Sequence, residues 1–326
     1  MTAHRIIIDA DPGMDDAAAI LMALASPEIE VLGLSVVAGN VPLRDTLANA
    51  CKLVSLSGRH DVPVHAGADR PLVRNQVFGK YAHIGAFDDR LVDPGGILPV
   101  EENAVSFIVR AARAAAEAGA PITVCAIGPM TNIALALVQH ADVARGIGRI
   151  VAMGGAFTAL GHRTPWAEFN MLADPHAADI VLRSGVPIVL MPLDMTFQAL
   201  FTARHIDRFR RGGKAGGALF NLFTAFDRSD VERFGRPGGP IHDATTIAWL
   251  LRPALFASRK AFVGVEITGL TMGHTYADFF GKTDRKANAT VVTDVDEAGF
   301  IDLLIERITR YGDETPGGKN TEGTQS

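Results

Sequence analysis

Two kinds of apolar segment alternate along the chain. Short runs rich in Val and Ile are nearly continuous in hydrophobicity, which is typical of strands buried on both faces of a parallel sheet. They predict strands at residues 5–10, 31–39, 121–128, 149–155 and 186–194. Longer stretches with helical periodicity lie between them and predict helices at residues 15–25, 42–58, 103–118, 130–139 and 175–184. The alternation predicts an α/β fold with crossover helices.

The predicted architecture is a single domain with an open, mostly parallel, Rossmann-like central sheet flanked by helices. Such sheets bind ligands at the carboxyl ends of their strands, so we expect the active site there. Two stretches with weak periodicity, residues 70–99 and 228–240, are predicted to be irregular and long enough to form lids. No repeat or clear linker divides residues 1–313, whereas the polar, Gly-rich residues 314–326 are predicted to form a disordered tail.

Composition narrows the class of protein. The 326 residues are 48% hydrophobic and 21% charged, as expected of a globular protein with a large core. A net charge of -5 without a basic stripe argues against a nucleic-acid partner. No apolar run has the length of about 20 residues that spans a bilayer, and no signal-peptide pattern is visible, so we expect a cytoplasmic protein without a membrane partner. Cys51 and Cys125 lack a zinc-site spacing and are predicted to be buried thiols.

An acidic cluster, "DADPGMDDA", stands where the first predicted strand meets the first predicted helix. Asp9 and Asp11 leave the strand on one side, because alternate residues of a strand share a face. Asp15 and Asp16 open the helix, where free main-chain amides favour carboxylates. Capping accounts for the second pair but not for the first. A hard divalent cation, Ca²⁺ or Mg²⁺, accounts for all four, since no His or Cys is near to favour zinc.

Two other acidic motifs compete for this stretch. An EF-hand loop that began at Asp9 would need Gly in place of Met14 and Glu in place of Ile20, which excludes it. A haloacid-dehalogenase-like phosphatase also begins with an apolar strand running into D-x-D. That alternative stays open, although Gly13 stands where such an enzyme has Thr or Val, and no matching later Lys motif is evident.

The same stretch resembles the D-x-D-x-G-x-D-D signature of the nucleoside hydrolases, the inosine/uridine-preferring family. Similar segments follow in order over nearly the whole chain: "VVAGN", "AIGPMTNIALAL", "VAMGGAF", "TPWAEFNMLADPHAA", "MPLDMT", "PIHDATTIAWLL" and "VVTDVDEAGFIDLLIERI". The resemblance implies calcium-dependent hydrolysis of the N-glycosidic bond of ribonucleosides, with a metal-bound water as nucleophile. It also implies a homodimer or homotetramer.

Carried over residue by residue, the resemblance assigns roles to the acidic positions. It implies calcium ligands at Asp11, Asp16, Asp243 and the main-chain carbonyl of Ile127. Asp11 is expected to act also as general base, and Asp9 to hold Asp11 in place. Taken alone, Asp243 would equally suit a helix N-cap. His242 is expected to protonate the departing base, with a structural histidine as the alternative.

The remaining assignments concern the substrate. The resemblance implies contacts with the sugar from Asp15, Asn40, Met153, Glu168 and Asn170. His162 replaces an asparagine expected near the ribose 5′-hydroxyl and O4′. His83 lacks the Gly that normally follows it and is expected either to face the base or to cap a loop.

Base preference is left open by the sequence. The segment that contains Phe223, Phe226, Arg228 and Phe234 is expected to approach the base, where aromatic rings could stack on it. Phe at helical spacing, as in the first two, is more often a core residue. A non-catalytic nucleoside- or sugar-binding protein is a further alternative, which the intact acidic positions disfavour.

Overall fold

A long β-sheet forms the centre of the computed structural model, which describes residues 3–80, 82–226 and 229–313. The strands are β1 (His4–Ala10), β2 (Ile29–Val36), β3 (Val64–Ala66), β4 (Ile122–Ala126), β5 (Ile147–Met153), β6 (Ile188–Met191), β7 (Leu200–Phe201), β8 (Gly239–Pro240), β9 (Phe256–Val265), β10 (Thr275–Asp278) and β11 (Ala289–Val295). The five strands predicted from apolar runs are β1, β2, β4, β5 and β6, and all five are confirmed.

The helices are α1 (Met14–Leu24), α2 (Leu43–Ser57), α3 (Ala104–Glu117), α4 (Thr131–Gln139), α5 (Phe169–Ala173), α6 (Pro175–Leu182), α7 (Leu193–Thr196), α8 (Ala203–Asp207), α9 (Gly213–Thr224), α10 (Val231–Phe234), α11 (Ala244–Leu251) and α12 (Glu297–Asp313). The five predicted helices are confirmed as α1, α2, α3, α4 and α6. Of the helices in the described part of the chain, none has the length and apolar character needed to cross a membrane.

The strand order of the main sheet is β10-β9-β11-β6-β5-β4-β1-β2-β3 among the residues described. From β3 to β11 neighbouring strands pair in parallel, whereas β9 and β10 add an antiparallel edge. The prediction of an open, mostly parallel sheet is therefore confirmed. Strand β1 shows why its sequence is continuously apolar: Ile6, Ile7 and Ile8 are fully buried, although successive residues face opposite layers.

Helices cover both faces of this sheet. One apolar layer contains α1, α2, α9, α11 and α12, and the other contains α3, α4 and α6. Cys51 and Cys125 are buried free thiols in the first layer, as predicted. With both faces covered, the strand ends are where polar side chains can gather without disturbing the core.

The position of a site follows from the strand order. The chain proceeds outward from β1 to β2 and β3, then returns to β4 on the other side of β1, so the order reverses between β1 and β4. Ligand-binding crevices form at such a reversal, outside the carboxyl ends of the strands. Asp11 follows β1 and Ile127 follows β4, which places both at this point.

The two stretches predicted to be irregular differ from each other. Residues 70–99 form a loop with a single 3-10 turn at Ala82–Ile84 in their described part. The other stretch contains α10 and β8, contrary to the prediction. Helix α10 forms because the Asp230 side chain accepts the Arg233 amide at 2.9 Å, and it ends at Gly235, whose φ of 69° favours glycine. Arg228 and residues 314–326 lie outside the described residues.

Candidate active site

A pocket of about 420 Å³ opens at the carboxyl ends of β1, β2, β4 and β5. Its volume lies in the range usual for small-molecule sites. Most residues predicted for the substrate and the metal line it, namely Asp15, Asn40, Ile127, Met153, His162, Glu168, Asn170, His242 and Asp243. Segments far apart in sequence therefore converge at one edge of the sheet.

Asp11 is buried at this edge of the sheet, and only one of its two carboxylate oxygens accepts a hydrogen bond among the described residues. Its Oδ2 accepts the Asn40 amide at 2.6 Å, and its own amide donates to Oδ1 of Asp16 at 3.2 Å. Oδ1 of Asp11 is buried and has no hydrogen-bond partner among the described residues. A Cβ at Gly128 would lie 2.6 Å from that oxygen, so the main chain packs tightly beside it. A buried carboxylate oxygen without a partner calls for a donor or a cation.

Asp16 and Asn40 connect the first loop to the start of α1. Oδ2 of Asp16 accepts the Gly13 amide at 3.0 Å, which satisfies the helix start as a capping residue does. The Asn40 side-chain amide donates to the same oxygen at 3.3 Å and to the Asp11 carbonyl at 3.1 Å. Asn40 thus positions the two carboxylates and also lines the pocket.

Asp243 stands at the N-cap position of α11, but its side chain makes no capping hydrogen bond. The capping explanation for this residue therefore fails. Its carboxylate is buried, and burial, followed by the charges of Asp16 and Asp15, raises its pKa well above the usual value. Asp243 therefore lies close to the acidic residues of the first loop.

Burial raises the pKa of several carboxyls in this cluster. It brings Asp9, Asp16 and Glu168 to about 7, and it raises the pKa of Asp11 well above the usual value with the help of the Asp16 charge. Groups with such pKa values carry full negative charge at neutral pH only when positive charge compensates them. This electrostatic demand is what a divalent cation meets.

The residues at this edge of the sheet offer oxygen donors to a cation. Among the described Asp, Glu, His and Cys side chains, no group of three is gathered closely enough to hold a metal ion as the structure stands. Oxygen donors are nevertheless present at this edge of the sheet, including the unpartnered Oδ1 of Asp11 and the main-chain carbonyl of Ile127. Hard oxygens without sulfur suit Ca²⁺ or Mg²⁺, so the chemistry of the donors fits such an ion.

Asp9 supports this arrangement through its side chain and through its main-chain carbonyl. Its Oδ1 accepts hydrogen bonds from the Ser35 hydroxyl and from Nδ2 of Asn132, the latter at 2.9 Å. Its main-chain carbonyl accepts the Ile127 amide at 2.8 Å. The side chain thus joins β1 to β2 and α4, while the main chain holds the loop that presents Ile127.

Glu168 and Asn170 form the side of the pocket next to β5. Glu168 caps α5, since Oε1 accepts the Asn170 amide at 2.8 Å and Oε2 the Met171 amide at 3.0 Å. The Asn170 side-chain amide donates to the carbonyls of Ile127 at 2.9 Å and of Met153 at 3.1 Å. A carbonyl oxygen has two lone pairs, so Ile127 keeps one for a further partner.

Rings line the opposite wall. Nδ1 of His242 lies 2.8 Å from the hydroxyl of Thr196, a buried residue at the end of α7. The His242 ring centre is 5.9 Å from that of Phe197 and 5.7 Å from that of His162, and Phe197 lies 5.2 Å from Phe234. A planar base could stack along such a wall.

His162 is held as a neutral imidazole. Burial, together with the neighbouring His242 and Arg233, lowers its pKa to about 3. Its Nε2 accepts the Phe169 amide at 3.3 Å and lies 3.8 Å from Oε1 of Glu168. The replacement of asparagine by histidine thus keeps a neutral polar group at this position.

Some predicted residues are not brought to the pocket. His83 is exposed and does not line it; the loop instead approaches the pocket at Gly79 and Lys80. Phe223 is buried 6.1 Å from Phe209 between α9 and its neighbours, so it belongs to the core. Phe226 does not line the pocket either, whereas Phe234 does.

Other pocket residues were missed by sequence reasoning. Phe197 comes directly after "MPLDMT", and its place behind a predicted strand was the one available signal. Lys80, Arg163 and Arg233 belong to loops and a short helix without periodicity, and nothing in the sequence marked them.

A wider depression of about 580 Å³ lies away from the strand ends, along α3. Its arginines are paired, Arg110 with Glu102 at 2.8 Å and Arg113 with Asp142 at 2.7 Å. These are surface ion pairs, unlike the buried carboxylates at the sheet edge.

Comparison with known proteins agrees with this geometry. Residues 6–302 match the family model described as inosine-uridine preferring nucleoside hydrolase. An uncharacterised protein of Schizosaccharomyces pombe is 43% identical over 94% of this chain and 99% of its own. The pyrimidine-specific ribonucleoside hydrolase RihA of Citrobacter koseri is 41% identical over 94% of this chain and 98% of its own.

Among solved structures, the purine-preferring ribonucleoside hydrolase from Gardnerella vaginalis is similar with a TM-score of 0.83 and 29% identity, over 94% of this chain and 99% of the other. These matches leave the phosphatase interpretation without support. The chain belongs to the inosine-uridine preferring nucleoside hydrolase family, a family of N-ribohydrolases that act on N-glycosyl compounds.

Proposed function

We propose that the protein hydrolyses the N-glycosidic bond of ribonucleosides to free base and ribose, with Ca²⁺ in the site. The observation that carries the proposal is the cluster of buried carboxylates at the reversal of strand order, with the unpartnered Oδ1 of Asp11 at its centre. Family membership supports the reaction class.

Asp11, Asp16, Asp243 and the carbonyl of Ile127 would hold the ion. Calcium accepts six to eight oxygen ligands, so four protein donors leave room for a sugar diol and for water. When bound, the ion would act as a Lewis acid that lowers the pKa of a water molecule, and it would orient the sugar through the 2′ and 3′ hydroxyls.

The residues of the chain provide the rest of the chemistry. Asp11 accepts the proton of the attacking water as general base. The surrounding carboxylates stabilise the positive charge that develops on the ribosyl group as the bond to the base breaks. Contacts with the sugar come from Asp15, Asn40, Met153, Glu168 and Asn170, which line or border the same pocket.

His242 is the proposed acid for the departing base. It lines the pocket, and its Nδ1 is oriented by the hydroxyl of Thr196. As an imidazolium, His242 can donate from Nδ1 to the threonine hydroxyl and give its Nε2 proton to the leaving group, which returns the ring to its neutral form with the proton on Nδ1. Phe197 and Phe234 offer rings on which the base can stack.

Pyrimidine ribonucleosides are the proposed preferred substrates. The support is the pyrimidine-specific relative, which is 41% identical to this chain, whereas the purine-preferring solved structure is 29% identical. Uridine is therefore the first substrate to test. The expected homo-oligomer and the cytoplasmic location stay predictions.

A ribose-release assay tests the proposal. The purified protein is stripped with a chelator, then assayed on uridine, cytidine, inosine and a 5′-nucleotide, with Ca²⁺ or Mg²⁺ added back. We expect ribose from uridine, loss of turnover after chelation, and recovery with Ca²⁺. Asp243→Asn should abolish the recovery. Inorganic phosphate as the product would favour a phosphatase, and nucleoside binding without ribose release would favour a binding protein.

A further inference from the structure

The loop that carries His162 is anchored firmly at both ends. This loop, residues 154–168, connects β5 to α5. At its start, the Asp194 carboxylate accepts the main-chain amides of Phe157, Thr158 and Ala159 at 2.7–2.9 Å. At its end, Glu168 is fixed as the cap of α5. Between these two anchors, the position of the loop therefore depends on other contacts.

Arg233 provides such a contact from across the pocket mouth. Its Nη2 donates to the carbonyls of Leu160 and Gly161, each at 3.0 Å. Its guanidinium carbon lies 4.6 Å from the ring centre of Phe197, which itself lines the pocket. Arg233 belongs to the short helix α10, so one side chain ties this helix, the aromatic wall and the residues directly before His162.

The hydrogen bond to His162 determines which of its ring nitrogens carries the proton. The Phe169 amide donates to Nε2 at 3.3 Å, so Nε2 acts as an acceptor. A neutral imidazole with Nε2 as acceptor has its proton on Nδ1. His162 is therefore a donor through Nδ1, provided that its loop keeps the ring against the Phe169 amide.

The geometry of ribose indicates which group of the substrate Nδ1 of His162 contacts. If the diol binds at the carboxylates and the base lies beside His242, the remaining polar substituent is the 5′-hydroxymethyl group. The base and this group project from the same face of the ring, on carbons that flank the ring oxygen. A residue next to His242 is thus well placed for the 5′-hydroxyl, which is also the group that the family resemblance implies for the position of His162. The two imidazole rings are 5.7 Å apart.

We propose that Arg233 is a positioning residue that fixes the loop of residues 154–168 so that His162 reads the 5′-hydroxyl of the substrate. The inference rests on the proposed ribonucleoside hydrolysis and adds to it a determinant of specificity. Among the described contacts Arg233 makes no hydrogen bond to a proposed metal ligand; it acts through the carbonyls of Leu160 and Gly161.

The test compares uridine with 5′-deoxyuridine in kcat/KM. The wild type should prefer uridine by roughly tenfold, the value of one well-made hydrogen bond. Both His162→Leu and Arg233→Met should bring that ratio close to one, mainly by lowering kcat/KM for uridine. Arg233→Lys retains one donor and should give an intermediate ratio. The double variant should show the ratio of His162→Leu alone, because the two residues act as one unit.

Arg236→Met is the matched control. Arg236 lies on the same segment and donates to the carbonyl of Gln198 at 2.8 Å, but it does not contact the loop of residues 154–168 in the contacts described. It should leave the ratio at the wild-type value. Equal losses on both substrates in Arg233→Met, or a further fall in the double variant, would overturn the proposal. Absence of ribose release by the wild type would instead overturn the proposed function, and would be seen before any variant is compared.

Discussion

The main-chain amide of His242 donates a hydrogen bond to Oδ2 of Asp15 over 3.1 Å, joining residues that stand 227 positions apart. Each has a proposed metal ligand as its next neighbour, Asp16 and Asp243. This contact therefore sets the position of the segment that contains Asp243 relative to the start of α1. A carboxylate at a helix start serves here as a tertiary link.

Substitutions of Asp15 should show how much this hydrogen bond stabilises the folded protein. Asp15→Ala leaves the His242 amide without an acceptor and should lower the free energy of unfolding by about 1–2 kcal/mol. Asp15→Asn keeps an acceptor oxygen and should lose less than half of that. Urea denaturation measures both values. Equal losses for the two variants would show that the hydrogen bond is not what stabilises the junction.

Gly128 offers a test of the metal site that removes no ligand. A Cβ at this position would lie 2.6 Å from Oδ1 and 2.9 Å from the main-chain nitrogen of Asp11, so Gly128→Ala must displace Asp11, its carboxylate included. We expect the rise in Tm on adding Ca²⁺ to shrink strongly, because the stabilisation by a ligand, RT ln(1 + [L]/Kd), falls as its affinity for the folded state falls. Differential scanning fluorimetry with and without Ca²⁺ measures it.

Gly217→Ala is the control for that substitution. Gly217 lies in α9, and a Cβ there would meet nothing within 4 Å. Its calcium-dependent shift should equal that of the wild type. A full shift in Gly128→Ala would mean that Asp11 is not a ligand.

Thr196 should influence the leaving group through His242. The Thr196 hydroxyl lies 2.8 Å from Nδ1 of His242, so Thr196→Val removes the partner that orients the ring. We expect kcat/KM for uridine to fall by about tenfold in Thr196→Val, and by about 100-fold or more in His242→Ala. A nitrophenyl riboside, whose leaving group needs no proton, should be affected much less. Thr196→Ser should behave as the wild type, and similar losses on both substrates would remove the acid role from His242.

The parts of the fold that the sequence predicted share one physical property. Strands such as β1 are buried on both faces, and their apolar runs are therefore visible without any tertiary information. Strand β9 escaped prediction because its first half is largely exposed at the antiparallel edge, so its pattern is mixed. A helix as short as α10 depends on one cap and one glycine, which a periodicity search does not detect.

The site was predictable to the extent that its chemistry is concentrated in short motifs. Asp11 and Asp16 stand together in the chain, and Asp243 was reached through the family resemblance. Of the aromatic wall, Phe234 was expected to approach the base and lines the pocket, whereas Phe197 was not predicted, because the two rings meet only after two distant segments fold over the pocket. Phe223 packs into the core, which is the alternative that its helical spacing favoured.

His65 predicts a pH dependence of stability away from the active site. Its ring is buried, stacks on Phe107 with centroids 3.9 Å apart, and places Nδ1 2.8 Å from the carbonyl of Glu102. Burial lowers the pKa of His65, and this outweighs the opposing influence of Glu102. As the pH falls through about 6.5, the unfolded chain takes up a proton that the folded protein does not, so stability is lost.

His65→Phe keeps the stacking and removes the titration. As the pH falls from 7 to 5, the wild type should lose stability relative to the variant. The free energy of unfolding of the variant minus that of the wild type should therefore increase, by at most about 1.4 kcal/mol per pH unit. Urea denaturation at each pH gives this difference. A pH-independent difference for His65→Phe would mean that the buried imidazole titrates as it does in the unfolded chain.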